Sequence, residues 1–130
     1  MSRLALIAAA AAAMIAVAGP ASAHHTFAMF DREKVVTVSG TVKLFQWTNP
    51  HIWIEILTTA PDGSVKEWDV EGGAPNALIR RGWKYGALKV GDKVTLTIHP
   101  LKSGVSGGSL LTVKTENGQS FEDGVSDCKN

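Results

Sequence analysis

Four histidines are the side chains of this 130-residue chain best suited to chemistry, and two of them, His24 and His25, are adjacent. Just before them, Ala21-Ser22-Ala23 has the small-x-small form of a signal-peptidase site. Cleavage after Ala23 would make His24 the first residue. Its free α-amine and ring nitrogen would then chelate one metal ion in a small ring, an arrangement suited to Cu(II) and its tetragonal preference for nitrogen. His25 offers a competing mode through the amine, the intervening amide and its own imidazole. A third nitrogen would have to come from His51 or His99, both outward on their strands by parity. Copper is therefore the one cofactor candidate, set against the plain alternative of solvated histidines at a frayed terminus.

The second chemical feature is the face of a hairpin over residues 41–56. Trp53 shares strand parity with His51 and Glu55, while Trp47 and Asn49 stand at the corner between the arms. An outward tryptophan is costly unless something covers it, and small barrels commonly bind ligands on the exposed face of their second and third strands. The competing expectation is that Phe27, Met29 and Phe30 of the segment 26–30 fold over the tryptophans. Glu67, Asp69 and Glu71 alternate along the next strand, a pattern more typical of a solvated edge than of a hard-cation site. No Gly-x-Ser-x-Gly, His-Glu-x-x-His or Cys-x-x-Cys is present, and neither Gly72-Gly73 nor 104–108 has the lysine and strand-to-helix setting of a phosphate loop. No residue is assigned a catalytic role.

The elements that must position these groups are mostly strands. Val36, Val38, Val42 and Leu44 alternate with polar residues and are expected inward, with Gly40 marking a bulge or a bend at a barrel corner. Asn49-Pro50 turns the chain, and Ile52, Ile54 and Ile56 form the inward face of the second arm. After the turn at Pro61-Asp62-Gly63-Ser64, residues 65–71 read as a third strand with Trp68 and Val70 inward. Pro75 opens a helix of about two turns through Arg81, stopped by Gly82. Val94, Leu96 and Ile98 mark the fourth strand, residues 102–109 read as a mobile loop, and 110–115 as the fifth strand. Asn117-Gly118 turns into a short sixth around 119–121. Three strands, a short helix and two or three more strands is the order of a mainly β, antiparallel OB-like barrel, with an open six-strand sandwich as the alternative.

The apolar run 4–18 follows Arg3 and falls short of the ~20 residues that span a bilayer, so residues 1–23 read as a cleaved signal peptide. Residues 24–122 are then one domain and 123–130 a flexible acidic tail. Location is expected to be periplasmic or secreted, without stable membrane insertion. The chain carries 13 Lys and Arg against 12 Asp and Glu, and losing Arg3 leaves it formally neutral, which removes any electrostatic case for nucleic acid. Cys128 is the only cysteine and cannot form an internal disulfide.

His24-His25 after the Ala-Ser-Ala cut, Phe30-Asp31, Gly40-Thr41-Val42, Trp47-Thr48-Asn49-Pro50-His51, Trp68 with Glu71, Leu78-Ile79-Arg80-Arg81-Gly82-Trp83 and Gly91-Asp92-Lys93-Val94 together resemble a family of small exported bacterial proteins classed as a domain of unknown function. The resemblance covers nearly the whole mature chain and implies an exported single-domain protein without transferring an activity. The family's opening His-His-Ser is His24-His25-Thr26 here, which keeps the hydroxyl. Three functional readings follow. The first is a periplasmic binding module with a copper-type ion at the processed terminus. The second is a non-enzymatic accessory subunit docking on an exported protein partner through Trp47, Asn49, Trp53 and Glu55. The third is an oxidative copper enzyme built on the amino-terminal histidine.

Overall fold

A computed structural model describes residues 28–124, six strands and one short helix. The strands are β1 (Val36–Gln46), β2 (Trp53–Thr59), β3 (Val65–Glu71), β4 (Lys93–Pro100), β5 (Gly107–Thr115) and β6 (Ser120–Glu122); the helix α1 is Pro75–Ile79. Antiparallel pairing runs in the order β3-β2-β1-β4-β5-β6, and a parallel pairing of β3 with β5 closes the first five strands into a barrel. This is the expected OB-like barrel with its helix between β3 and β4. Closure removes the sheet edges that an open sandwich would leave unpaired.

Period-two alternation builds the core. Ile52, Ile54 and Ile56 from β2 and its approach, Val70 from β3, and Leu96 and Ile98 from β4 are all fully buried. They meet Val42, Leu110, Val113 and Leu78 in one cluster, against which Trp68 packs half-buried. Gly40 sits where β1 bends from β4 to β2, pairing with Val94 just before Thr41 pairs with Leu57. A Cβ at position 40 would lie 2.4 Å from the Leu57 carbonyl oxygen, so only glycine lets the two backbones approach.

Three expectations need correction. Leu44 does not share the inward face with Val42, because a register shift between them makes Lys43 an extra residue and resets the alternation. Beyond this bulge Phe45 and Trp47 pack against the core. Residues 107–109 are not part of a loop but the first residues of β5, buried beside Asp69, Val70 and Glu71. A Cβ on Gly107 would lie 2.6 Å from the Asp69 carbonyl oxygen, and one on Gly108 2.3 Å from that of His99. Gly107 therefore serves the seam with β3, and Gly108 the close approach to β4. Asp123, assigned to an unpacked tail, is buried, and its N–H donates to the Leu111 carbonyl. Residues 125–130, including Cys128, lie outside the described residues.

The helix is shorter than two turns. Trp83 N–H donates to the Leu78 carbonyl and Gly82 N–H to that of Ile79, with Gly82 at φ +91°. This pair of bonds is a Schellman ending, which requires the left-handed conformation that glycine adopts without penalty. It turns the chain so that Trp83 drops into the barrel end, where its ring lies 5.0 Å from Phe121 and its indole N–H donates to the Glu122 carbonyl at 2.9 Å. Among the described residues no helix is long and apolar enough to cross a membrane.

Candidate functional site

The outward faces of β2 and β3 form one strip because their residues pair directly: Trp53 opposite Glu71, Glu55 opposite Asp69, and Leu57 opposite Glu67. Parity thus places a tryptophan and four carboxylates on the same surface. The bulge in β1 turns Lys43 onto it from the far side. Its Nζ lies 2.8 Å from Glu67 Oε2 and 3.3 Å from Glu55 Oε2, so one ammonium bridges two strands. Oxygens of Glu55, Glu67 and Asp69 come within 4.8 Å of one another.

Such crowding shifts the proton affinity of the groups involved. Partial burial, reinforced by the negative charges of Glu55 and Glu67 and offset by Lys43, raises the Asp69 carboxyl above the ordinary carboxylate value. Hydrogen bonds to Glu67 and then Glu55 raise the Lys43 ammonium. With three carboxylates around a single lysine, the strip keeps an excess of negative charge. It is suited to a cationic group, an ammonium, guanidinium or hard metal ion, that completes the set of partners Lys43 begins.

Trp53 borders this strip and remains 38% exposed. The described part of the amino-terminal arm, from Ala28 onward, does not cover it. Phe30 is buried outside the main cluster and bridges to Leu101, while Asp31 N–H donates to the Pro100 carbonyl, so the arm lies at the end of β4. Met29 is exposed, and Thr26 and Phe27 lie outside the described residues. Trp47 is separated from Trp53: the bulge puts it on the core side, its ring centroid 6.0 Å from that of Phe45 in an edge-on contact. Asn49 is exposed at the corner between β1 and β2.

The two described histidines are held the same way. His51 Nδ1 lies 3.0 Å from the Gly72 carbonyl oxygen and His99 Nδ1 2.7 Å from that of Lys34. A carbonyl only accepts, so in each ring Nδ1 carries the proton of this bond and Nε2 is the nitrogen left for other contacts. For His51 that contact is Glu71 Oε1 at 3.5 Å. The structure does not gather His51 and His99 into a metal-ligating cluster. His24 and His25 lie outside the described residues.

Sequence reasoning missed Asp123. Its Oδ1 accepts the Gly73 N–H at 2.7 Å, while His51 donates to the carbonyl of Gly72, so two side chains grip opposite ends of one peptide unit. Asp123 Oδ2 is buried without a partner. Burial pushes this carboxyl up to about 6, against the opposing pull of the Gly73 N–H, Arg81 and His51. Nothing in the run Glu122-Asp123-Gly124 distinguishes it from a solvated tail. The one available signal was Gly72-Gly73, which leaves room for an intruding side chain.

Residues 11–111 match a family described as "Family of unknown function (DUF6152)". The chain belongs to this family. The match takes in the whole Trp53 strip, Lys43, His51 and His99, and ends before β6 and Asp123. No curated protein and no solved structure matches the chain.

Proposed function

We propose that the protein is an exported, non-enzymatic binding module that docks a basic segment of another exported protein on the outer face of β2 and β3. The supporting observation is the half-exposed Trp53 beside three crowded carboxylates that share one lysine. A tryptophan edge supplies apolar contact area and a rigid anchor, and the excess negative charge selects the sign of the partner. A photo-crosslinking phenylalanine analogue placed at position 53 in exporting cells tests this reading. It should give one discrete protein adduct that disappears with Glu67→Lys, and adducts no different from those of an analogue at exposed Val90 would refute it.

A copper ion at the processed terminus is the second reading. The favouring observation is His99, whose Nδ1 is tied to Lys34 and whose Nε2 is left for a metal, beside the point where the arm through Phe30 joins the barrel. His24 stands six positions before Phe30, a reach of up to ~20 Å when extended. Mature protein should bind one Cu(II), and an extra alanine before His24 should weaken binding strongly by removing the α-amine from the chelate ring. Equal affinity of the native and extended forms would refute an amino-terminal site.

A further inference from the structure

Besides the Trp53 strip, three cavities of about 430, 330 and 540 Å³ adjoin one another around the start of β4 and the turn between β5 and β6. The first and second share Lys93, Thr115 and Glu116, and the second and third share Asp92, Asn117 and Gln119. Together they make one open groove running from Thr59 to Tyr85.

The end wall at Tyr85 is built rather than loose. Buried Trp83 and Leu88 anchor both sides of its loop, and Ala87 N–H donates to the Lys84 carbonyl at 2.9 Å. Gly86 at φ +76° occupies the third place of that turn, the geometry of a type II turn, which leaves Tyr85 at the second place with its side chain outward. Tyr85 is accordingly 84% exposed, a flat amphipathic ring at the rim of the groove.

The polar groups of the groove combine lysine donors with hydroxyls and amides that both donate and accept. Asn117 Oδ1 already accepts from the Thr115 hydroxyl and the Gln119 N–H, which leaves its amide NH₂ facing other partners. Asp92 Oδ2 accepts the Lys89 N–H. Four lysines, Lys84, Lys89, Lys93 and Lys114, line the groove against two acids, Asp92 and Glu116. None of the four takes part in an ion pair among the described residues. The hydroxyls of Ser39, Thr41 and Thr95 line the far end. A chain that is nearly neutral overall thus carries an acidic face on β2–β3 and a basic, hydroxyl-lined groove elsewhere.

We propose that this groove binds an extended acidic polysaccharide, of which a polyuronate is the simplest case. Carboxylates at intervals along such a chain would meet the spaced lysines, its ring hydroxyls the amide and hydroxyl groups, and one sugar face would lie on Tyr85. The elongated, shallow shape suits a polymer better than an enclosed small molecule. A nucleic acid is less well matched, because the groove offers one exposed aromatic and a small excess of positive charge.

Isothermal titration with a galacturonate hexamer, at low and at physiological salt, tests the proposal, with maltohexaose, inorganic polyphosphate and a short oligothymidylate as the other probes. The galacturonate hexamer should bind best, and Tyr85→Ala should weaken it about tenfold while leaving the unfolding temperature unchanged. Lys84→Gln with Lys89→Gln should weaken it and flatten the salt dependence. Absence of galacturonate binding overturns the proposal. So does equal or tighter binding of polyphosphate or oligothymidylate, or an unchanged affinity in Tyr85→Ala.

Discussion

Replacing Asp123 by asparagine should stabilise the protein at neutral pH. The carboxyl is 4% exposed, one oxygen has no partner, and its pKa is pushed from an ordinary 3.8 to about 6 by burial. Between those two values the unfolded chain ionises while the folded chain keeps its proton. The folded state therefore binds more protons in this window, and stability falls as pH rises from about 4 to about 6, then levels off. At about 1.4 kcal/mol per pH unit the loss comes to about 3 kcal/mol. Asparagine keeps an oxygen for the Gly73 N–H and has no charge to desolvate, so Asp123→Asn should match the native protein near pH 4 and exceed it by about 2–3 kcal/mol at pH 7.5. Urea unfolding of both proteins at four pH values gives the difference directly, since every other titrating group largely cancels between them. A variant that is less stable at pH 7.5, or a difference that does not change with pH, would refute the account of a buried, poorly compensated carboxylate.

Other substitutions test the barrel itself. Ile54→Ala should cost about 2–5 kcal/mol in chemical denaturation, whereas Glu55→Ala, one residue on and outward, should cost under about 1 kcal/mol; equal costs would invalidate the face assignment of β2. Gly107→Ala should destabilise by about 1–3 kcal/mol or more, because its Cβ would lie 2.6 Å from the Asp69 carbonyl oxygen on β3, and a neutral result would argue against closure through β3 and β5. Trp83→Phe removes the donor to the Glu122 carbonyl and should cost about 1–3 kcal/mol, with faster amide exchange in β6 as the local signature.

Most of the barrel was legible because its strands alternate strictly: the isoleucines of β2 and the residues Val94, Leu96 and Ile98 of β4 could face only one way. The bulge at Lys43 was not, since the run from Val36 to Leu44 reads as unbroken alternation and the extra residue is fixed by pairing with β2. This single slip moved Trp47 from the expected docking face to the core side, where it is half-buried, and placed Lys43 among the carboxylates. The glycines of β5 misled for a related reason. Gly107 and Gly108 have the composition of a loop, yet their missing side chains are what a tight strand seam requires. The acidic strip was half visible, as alternation along β3, but its convergence with Glu55 depends on the β2–β3 register, which the sequence does not print.

The central claim, that the Trp53 strip is a binding face for basic segments, is tested most directly by a titration of ¹⁵N-labelled protein, from His24 onward, with a lysine- and arginine-rich peptide. The account predicts shifts confined to the Trp53 indole and to the amides of Glu55, Glu67, Asp69 and Glu71, weakened several-fold by Trp53→Ala and abolished by Glu67→Lys. Shifts that map to other acidic positions, or binding that is indifferent to both substitutions, would contradict it.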